Sequence, residues 1–369
     1  MADVLIVGGG VIGLLLAKDL VQRSVSVKLI EKGNVGTEAS WAGGGIVSPL
    51  YPWTYSAPIT ALASWAQNAY PELAAELKTE TDLDPEFNPC GLMMLDPPNQ
   101  DEIATWADIN QKRFGILSQA DAKQQEQGLG LEFDSAVWWP DIGNIRNPRL
   151  LQSLYAYLAR HPYCSIETQC EINGFKQRGD GRVEVLAPQQ NFTADKVVVC
   201  AGAWAGQLLA STGTAMPITP VKGQMIVFEP RPGLINSIIL HQGLYLIPRL
   251  DGRIVVGSTL EHSGYDKFTT REARDELLAK AIELVPALAS VRVESHWAGL
   301  RPGAPHGIPY IGEIPGWDNL FVNAGHYRNG LVLAPASVRL MTNILLGENP
   351  IVDPTPYRPQ SPRPSDEMF

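Results

Sequence analysis

Four cysteines in 369 residues, none in a C-x-x-C spacing, are too few and too scattered for a disulfide scaffold or a cysteine-built zinc site. Cys90, Cys164, Cys170 and Cys200 read as reduced, partly buried thiols of a cytoplasmic protein, with Cys200 in a core strand. Basic residues are outnumbered, 29 against 39 acidic, and the resulting net charge of −10 argues against a nucleic-acid partner. The six histidines are dispersed, with no H-x-x-x-H and no carboxylate cluster, so no metal site is expected. No apolar run reaches the roughly 20 residues of a membrane-spanning helix. No membrane span is therefore expected, and any membrane role would be peripheral. The N-terminal apolar stretch lacks a basic leader and a cleavage-like site, so no signal peptide is expected. Without one, the glycosylation-like Asn191-Phe192-Thr193 is read as coincidence.

What the chain does have is a strand, a glycine turn, a helix and a second strand within its first 31 residues. Val4-Leu5-Ile6-Val7 runs into Gly8-Gly9-Gly10-Val11-Ile12-Gly13, and Val25–Ile30 ends in Glu31. In this G-x-G-x-x-G pattern Gly8 permits the tight turn, Gly10 lets the backbone approach a pyrophosphate, and Gly13 lets the helix lie close on the strand. The helix start, at Val11 and Ile12, offers free N–H groups and a positive dipole end to phosphates. Glu31, followed by Lys32, falls where a carboxylate accepts from ribose hydroxyls.

A second small-residue segment, Gly36–Ile46, contains Ser40, Trp41, Ala42, Gly43 and Gly44. It has no helical periodicity, and its glycines suit close approach to a flat object. Pro and aromatics at 49–58 mark a crossing between domains. Helices are expected near 59–80, 99–114, 148–161 and 270–285. Ser165–Thr168, Glu171–Phe175 and Arg182–Val185 are expected to form a meander leading to Lys196–Trp204. The continuous apolar run in that last segment places it centrally in a covered parallel sheet. Alternating strands follow at 222–228, 243–248 and 253–257, and Asn319–His326 is a strand entering a glycine turn and helix. Nucleotide-type elements at both ends, with antiparallel-type strands between them, indicate a discontinuous cofactor domain (1–48, 141–214, 296–348) and a second sheet domain (49–140, 215–295). The Pro-rich 349–369 is expected to be loosely ordered.

The N-terminal fingerprint, the Thr37–Gly45 segment, Val197-Val198-Val199-Cys200-Ala201-Gly202-Ala203-Trp204, Trp297-Ala298-Gly299-Leu300-Arg301-Pro302-Gly303 and Gly325-His326-Tyr327-Arg328-Asn329-Gly330-Leu331 occur in this order. Together they resemble the FAD-dependent amine oxidoreductases of the D-amino-acid oxidase type, over about residues 1–348. The pairing of the last two motifs looks most like the glycine oxidases, the thiamine-pathway branch of that family. The resemblance implies an α/β, glutathione-reductase-like FAD domain with an inserted antiparallel, α+β substrate domain. It also implies that Glu31 holds the adenosine ribose and that Cys170 to Ile172 lie beside the adenine. By the same resemblance Ser40, Ala42, Gly43 and Gly44 line the isoalloxazine, with Ala201, Gly202 and Trp204 also on the cofactor. His326, Arg328, Asn329, Gly330 and Leu331 bring a helix start to the pyrimidine edge.

An amino-acid oxidase must clamp a carboxylate, and the planar fork of arginine suits that task. Arg301 and Arg328 sit in turn-like motifs, and Tyr245 aligns with the family tyrosine at the carboxylate. Leu260 falls where an apolar residue would cap a small-substrate pocket, and Trp53 and Tyr55 are candidate lid aromatics. The family tends to carry a histidine just before that tyrosine. Here the position is Gly243, with His241 two residues earlier, so no histidine proton role follows. His326 is expected to pack by its backbone rather than act as a base. With no cysteine after Cys200, and Trp41 and Ala42 where dimethylglycine-type relatives place a histidine, the FAD is expected to be non-covalent.

The implied activity is oxidation of glycine and other small amines (sarcosine, small D-amino acids) by hydride transfer from Cα to flavin. The products are the imine or glyoxylate, ammonia and H2O2, and the imine feeds thiazole assembly. A cytoplasmic homo-oligomer acting on a small amine and O2, with no nucleic-acid or membrane partner, is expected. Two alternatives stand beside it: a D-amino-acid or sarcosine dehydrogenase using another electron acceptor, and a non-catalytic flavin-binding subunit of a heteromeric oxidase.

Overall fold

The computed structural model describes residues 2–363. Ala2–Val7 is a central strand of a first sheet, paired in parallel with Val27–Ile30 on one side and Phe192–Val199 on the other. Leu320–Ala324 pairs in parallel beyond Phe192–Val199, and Tyr310–Glu313 closes that edge antiparallel. Phe192–Val199 is thus covered by strands on both sides, and Val197, Val198 and Val199 are fully buried. Such an uninterrupted β-branched run is what a strand buried on both faces requires.

The helix Val11–Val21 starts at Gly10, whose backbone is extended, and every one of its residues is buried. It packs between the sheet and the helices Asn147–Arg160 and Gly330–Leu346, which explains why it is apolar all round rather than amphipathic. Even its lysine is accounted for: Lys18 Nζ sits 2.8 Å from Glu76. A Cβ on Gly13 would lie 1.9 Å from the Gly8 carbonyl oxygen, so glycine alone lets this helix meet the first strand. Gly8 takes φ +114°, and its N–H donates to Ile30.

The second sheet runs Val293–Gly303, Thr219–Phe228, Ile254–Gly257, Leu244–Pro248, Ile238–His241, Leu92–Leu95, Ser135–Trp139 and Gly115–Ser118. All its pairings are antiparallel except Ile238–His241 with Leu92–Leu95. Its long edge pair, Thr219–Phe228 against Val293–Gly303, places Arg301 opposite Val221, and Gly299 of that pair lies against Ala42 of the second glycine segment. Helix Arg271–Leu284 packs on this sheet, opened by Thr270, whose Oγ1 accepts from Ala273 N–H. The mixed α/β architecture is the one expected.

Four expectations need correction. Cys164–Glu167 is not part of a meander: it pairs in parallel with Val27–Ile30 and forms an edge of the first sheet. The helix Asn147–Arg160 precedes it and acts as its crossover, which an antiparallel reading of short strands does not anticipate. Only Gly174–Gln177 and Val183–Leu186 form a hairpin, while 171–173 lie outside it. The segment expected to lack helix contains one turn, Ala39–Ala42. The tail is packed as far as it is described: Tyr357 is 1 % exposed and its hydroxyl donates to the Pro58 carbonyl, and Arg363 lies 3.7 Å over the Tyr310 ring. Residues 364–369 lie outside the described chain. Finally, Tyr327–Leu346 is long and apolar enough to cross a membrane by composition, but it is a core helix, packed against Val11–Val21 and Ala57–Thr81.

Candidate active site

One cavity of about 480 Å³ runs between the two sheets, from the first glycine turn to Arg301 and Arg328. At its first end, Gly8, Gly10, Val11 and Ile12 present the start of the buried helix. The Val11 N–H donates to Ser40 Oγ at 2.9 Å, which ties the second glycine segment to the first. Glu31 also lines the cavity, with Oε2 accepting from Gly9 N–H at 2.7 Å and Oε1 from Gly33 N–H at 2.9 Å. These bonds fix the carboxylate and leave further lone pairs for a ligand hydroxyl. Lys32 Nζ stands 3.3 Å over the Trp204 ring, and burial draws its pKa down. Tyr265 also stacks on Trp204, with ring centroids 5.7 Å apart, and its hydroxyl donates to the Ala203 carbonyl.

At the other end the charge is positive. Arg301 Nη2 donates to Ser258 Oγ at 2.5 Å, and Nη1 lies 3.3 Å from the carbonyls of Lys222 and Thr259. Burial lowers its pKa first and foremost, and the Arg328 charge lowers it further, while the nearby Tyr245 acts the other way. Neither arginine has an acidic partner among the described residues. Two guanidinium groups facing one end of the cavity, with no ion-pair partner there among the described residues, form a site for an anion. Space for Arg301 is made by Gly223, where a Cβ would stand 2.2 Å from Nη2 and 2.3 Å from Nη1. Tyr245, buried in its strand, lines the same end, with its hydroxyl 3.9 Å from Met225 Sδ.

Between the ends, Ala42, Gly43, Gly44 and Gly45 form part of the wall, and a Cβ on Gly44 would meet Ile247 Cδ1 at 2.8 Å and Tyr245 Cε2 at 3.1 Å. On Gly299 it would meet the Ala42 Cβ at 2.4 Å. Two lining side chains carry buried polar atoms with no protein partner: the acceptor Asn147 Oδ1 and the donor Asn329 Nδ2. Buried polar groups are rarely left unpaired, so this pair calls for a polar ligand. A wall of glycine at its middle, orphaned donor and acceptor atoms, and a helix start at one end fit an extended dinucleotide. His326, also on the wall, is buried, with Nε2 2.7 Å from Ser337 Oγ, which donates to Asn323 Oδ1. Desolvation pushes its pKa down to about 3, so the ring is neutral and fully engaged, not poised as a base.

The cavity brings together Gly8, Gly10, Val11, Ile12, Glu31, Lys32, Ser40, Ala42, Gly43, Gly44, Ile172, Ala201, Gly202 and Trp204, and from the C-terminal motifs Tyr245, Arg301, His326, Arg328, Asn329, Gly330 and Leu331. Gly13 stands behind the wall as the helix–strand contact. Leu260, expected as a pocket cap, is 45 % exposed and lies off the cavity wall, because the chain after Ser258 turns outward to pair Glu261 with Lys222. Trp53 and Tyr55 are likewise off the wall. Trp53 is buried against Tyr51, while Leu50 of that segment reaches the cavity. Trp41 points away from it and packs edge-on against Trp297. Gly243 occupies a hairpin tip at φ +83°, where its N–H donates to the Tyr51 hydroxyl at 2.8 Å. Sequence motifs do not point to Asn147, Gly223 or Ser258. Asn147 signals only a helix start in sequence, and the other two matter through Arg301, which is distant in the chain.

A family model described as "FAD dependent oxidoreductase" matches residues 3–344. The chain is 49% identical to a glycine oxidase of Pseudomonas aeruginosa over 96% of its own length and 98% of that relative's. It is 31% identical to a bifunctional ThiO/ThiG protein of Synechocystis, matching 94% of this chain but 52% of that longer relative. Among solved structures, glycine oxidase from Geobacillus kaustophilus superposes with a TM-score of 0.92 at 29% identity, covering 97% of this chain and 98% of the other. With its glycine turn, the Glu31 carboxylate and a cationic far end in one cleft, the chain belongs to the FAD-dependent oxidoreductase family of D-amino-acid oxidase type.

Proposed function

We propose that this chain is a glycine oxidase, oxidising glycine and other small amines such as sarcosine and small D-amino acids. The observation that carries this reading is the pair Arg301 and Arg328, unmatched by any carboxylate among the described residues, at the end of an extended cavity. Held non-covalently, FAD would lie along Gly8–Ile12, Glu31, the Ser40–Gly45 wall, Ala201–Trp204 and His326–Leu331, and it supplies the two-electron acceptor that O2 reoxidises with formation of H2O2. Arg301 and Arg328 bind the amino-acid carboxylate through charge-assisted bonds, and the Tyr245 hydroxyl adds a third contact. No side-chain base is required when the amine binds neutral, which accords with the buried, hydrogen-bonded His326. The imine product hydrolyses to glyoxylate and ammonia or, as the family resemblance implies, is handed to thiazole assembly.

The four free cysteines suit a reducing, cytoplasmic compartment, and a homo-oligomeric state belongs to the same reading. Oxygen uptake and H2O2 release with glycine, sarcosine and D-alanine test the activity. A protein that takes up none of them, or reduces its flavin without reacting with O2, is not this oxidase. A light-scattering mass tests the assembly.

A further inference from the structure

Arg249 follows the strand Leu244–Pro248, which carries Tyr245, and it is 8 % exposed. Its Nη1 donates to Asn144 Oδ1 at 2.8 Å and to the Ile145 carbonyl at 3.0 Å, and its Nη2 donates to the Gly44 carbonyl at 2.8 Å. No carboxylate pairs with it among the described residues: the nearby Glu86 and Asp251 are both taken by Arg146. A buried guanidinium with only neutral acceptors is costly to keep, and a packed apolar side chain would stabilise the fold as well. Burial holds its pKa down to about 10, which leaves it charged at neutral pH.

The peptide it grips faces the cavity. Gly44 and Gly45 both line the wall, and Gly45 N–H finds no acceptor among the described residues. In a trans peptide the N–H of Gly45 points opposite to the Gly44 carbonyl, so a carbonyl turned into Arg249 turns the N–H the other way. A positive charge on the carbonyl polarises the peptide and strengthens that N–H as a donor. Asn144 completes the clamp, with Nδ2 donating to the Pro248 carbonyl at 3.3 Å and Oδ1 holding Arg249.

We propose that Arg249 is a positioning residue that fixes the Gly44–Gly45 peptide against the bound flavin and makes that flavin easier to reduce. The inference rests on the FAD reading of the cavity, not on the identity of the amine. A donor dipole and a buried positive charge favour the electron-rich reduced ring over the oxidised one.

The test is the midpoint potential of holo Arg249→Met, measured by photoreduction against a reference dye with no amine present. The expected change is a tenfold weaker reduction equilibrium, about 30 mV lower for a two-electron couple. Glycine-driven reduction slows in parallel, while the Kd of a carboxylate inhibitor at Arg301 stays within about twofold. Arg249→Lys, which keeps the charge, recovers at least half of the shift. If Arg249→Met fails to fold or hold flavin, Arg249→Gln, a neutral donor, is read instead, and the same drop is expected. A wild-type potential in whichever neutral variant holds flavin overturns the proposal. Lower stability or weaker FAD binding with that unchanged potential shows a merely structural role. Failure of every amine to reduce the wild-type flavin, with the potential shift intact, refutes the substrate reading and leaves this one standing.

Discussion

Gly223→Ala isolates the carboxylate clamp without touching either arginine. Gly223 lies in a regular strand paired with Gly299, and alanine suits that backbone. The nearest atoms to a new Cβ all belong to the Arg301 guanidinium, with Nη2 at 2.2 Å and Nη1 at 2.3 Å. Neither separation is tolerable, so the guanidinium must leave its bonds to Ser258 Oγ and the two carbonyls. Charged hydrogen bonds contribute about 1.5–3 kcal/mol each way, and losing the clamp therefore weakens carboxylate binding roughly 10- to 150-fold. The assay is the perturbation of the flavin spectrum on titration with acetate or glycolate, beside glycine KM. Flavin content is expected to be retained, because the glycine turn and Glu31 are remote from this site. Wild-type inhibitor affinity in a folded, yellow Gly223→Ala protein would refute the assignment of Arg301 as the clamp.

Gly13→Ala should cost the cofactor: its Cβ at 1.9 Å from the Gly8 carbonyl forces the helix off the strand, and the protein should purify with little bound flavin, read as the absorbance ratio of flavin to protein. Tyr245→Phe removes a hydroxyl from the cationic end and should raise glycine KM several-fold, about 1 kcal/mol, with little change in Tm. Leu260→Ala should leave kcat and KM unchanged, since the side chain lies outside the cavity, and a shift in either would restore it as a pocket cap. His326 has a folded pKa of about 3, below its ordinary 6.5, so the unfolded chain binds more protons between those values. Its stabilising contribution is complete above pH 6.5 and is lost as pH falls toward 3, amounting to about 2 kcal/mol by pH 5. Thermal melts of the wild type and His326→Asn across pH 5–7 check this, with a flatter profile expected in the variant.

Local pattern made the cofactor end legible, because each of its glycines answers to a neighbour close in sequence or to one adjacent strand. The turn at Gly8 and the close helix–strand contact at Gly13 follow from the local pattern alone. The uninterrupted valines of 197–199 were equally readable, since burial on both faces leaves no polar alternation. What could not be read depends on long-range partners. Cys164–Glu167 looks like any short strand, and only the helical crossover before it selects parallel pairing with Val27–Ile30. Leu260 suits a pocket by type, but the ion pairs of Lys222 with Glu261 and Asp266 carry that stretch outward. Arg249 and Asn147 have no motif at all. They matter because the fold brings the segments around 145 and 249 against Gly43–Gly45, more than a hundred residues earlier in the chain.

The most direct test of the account is an anaerobic titration of the flavin-loaded protein with glycine, followed by air. The account predicts that the oxidised flavin absorbance bleaches with glycine, returns on aeration, and yields one H2O2 and one glyoxylate per flavin turned over. Absorbance unmoved by glycine, sarcosine and D-alanine alike would contradict it.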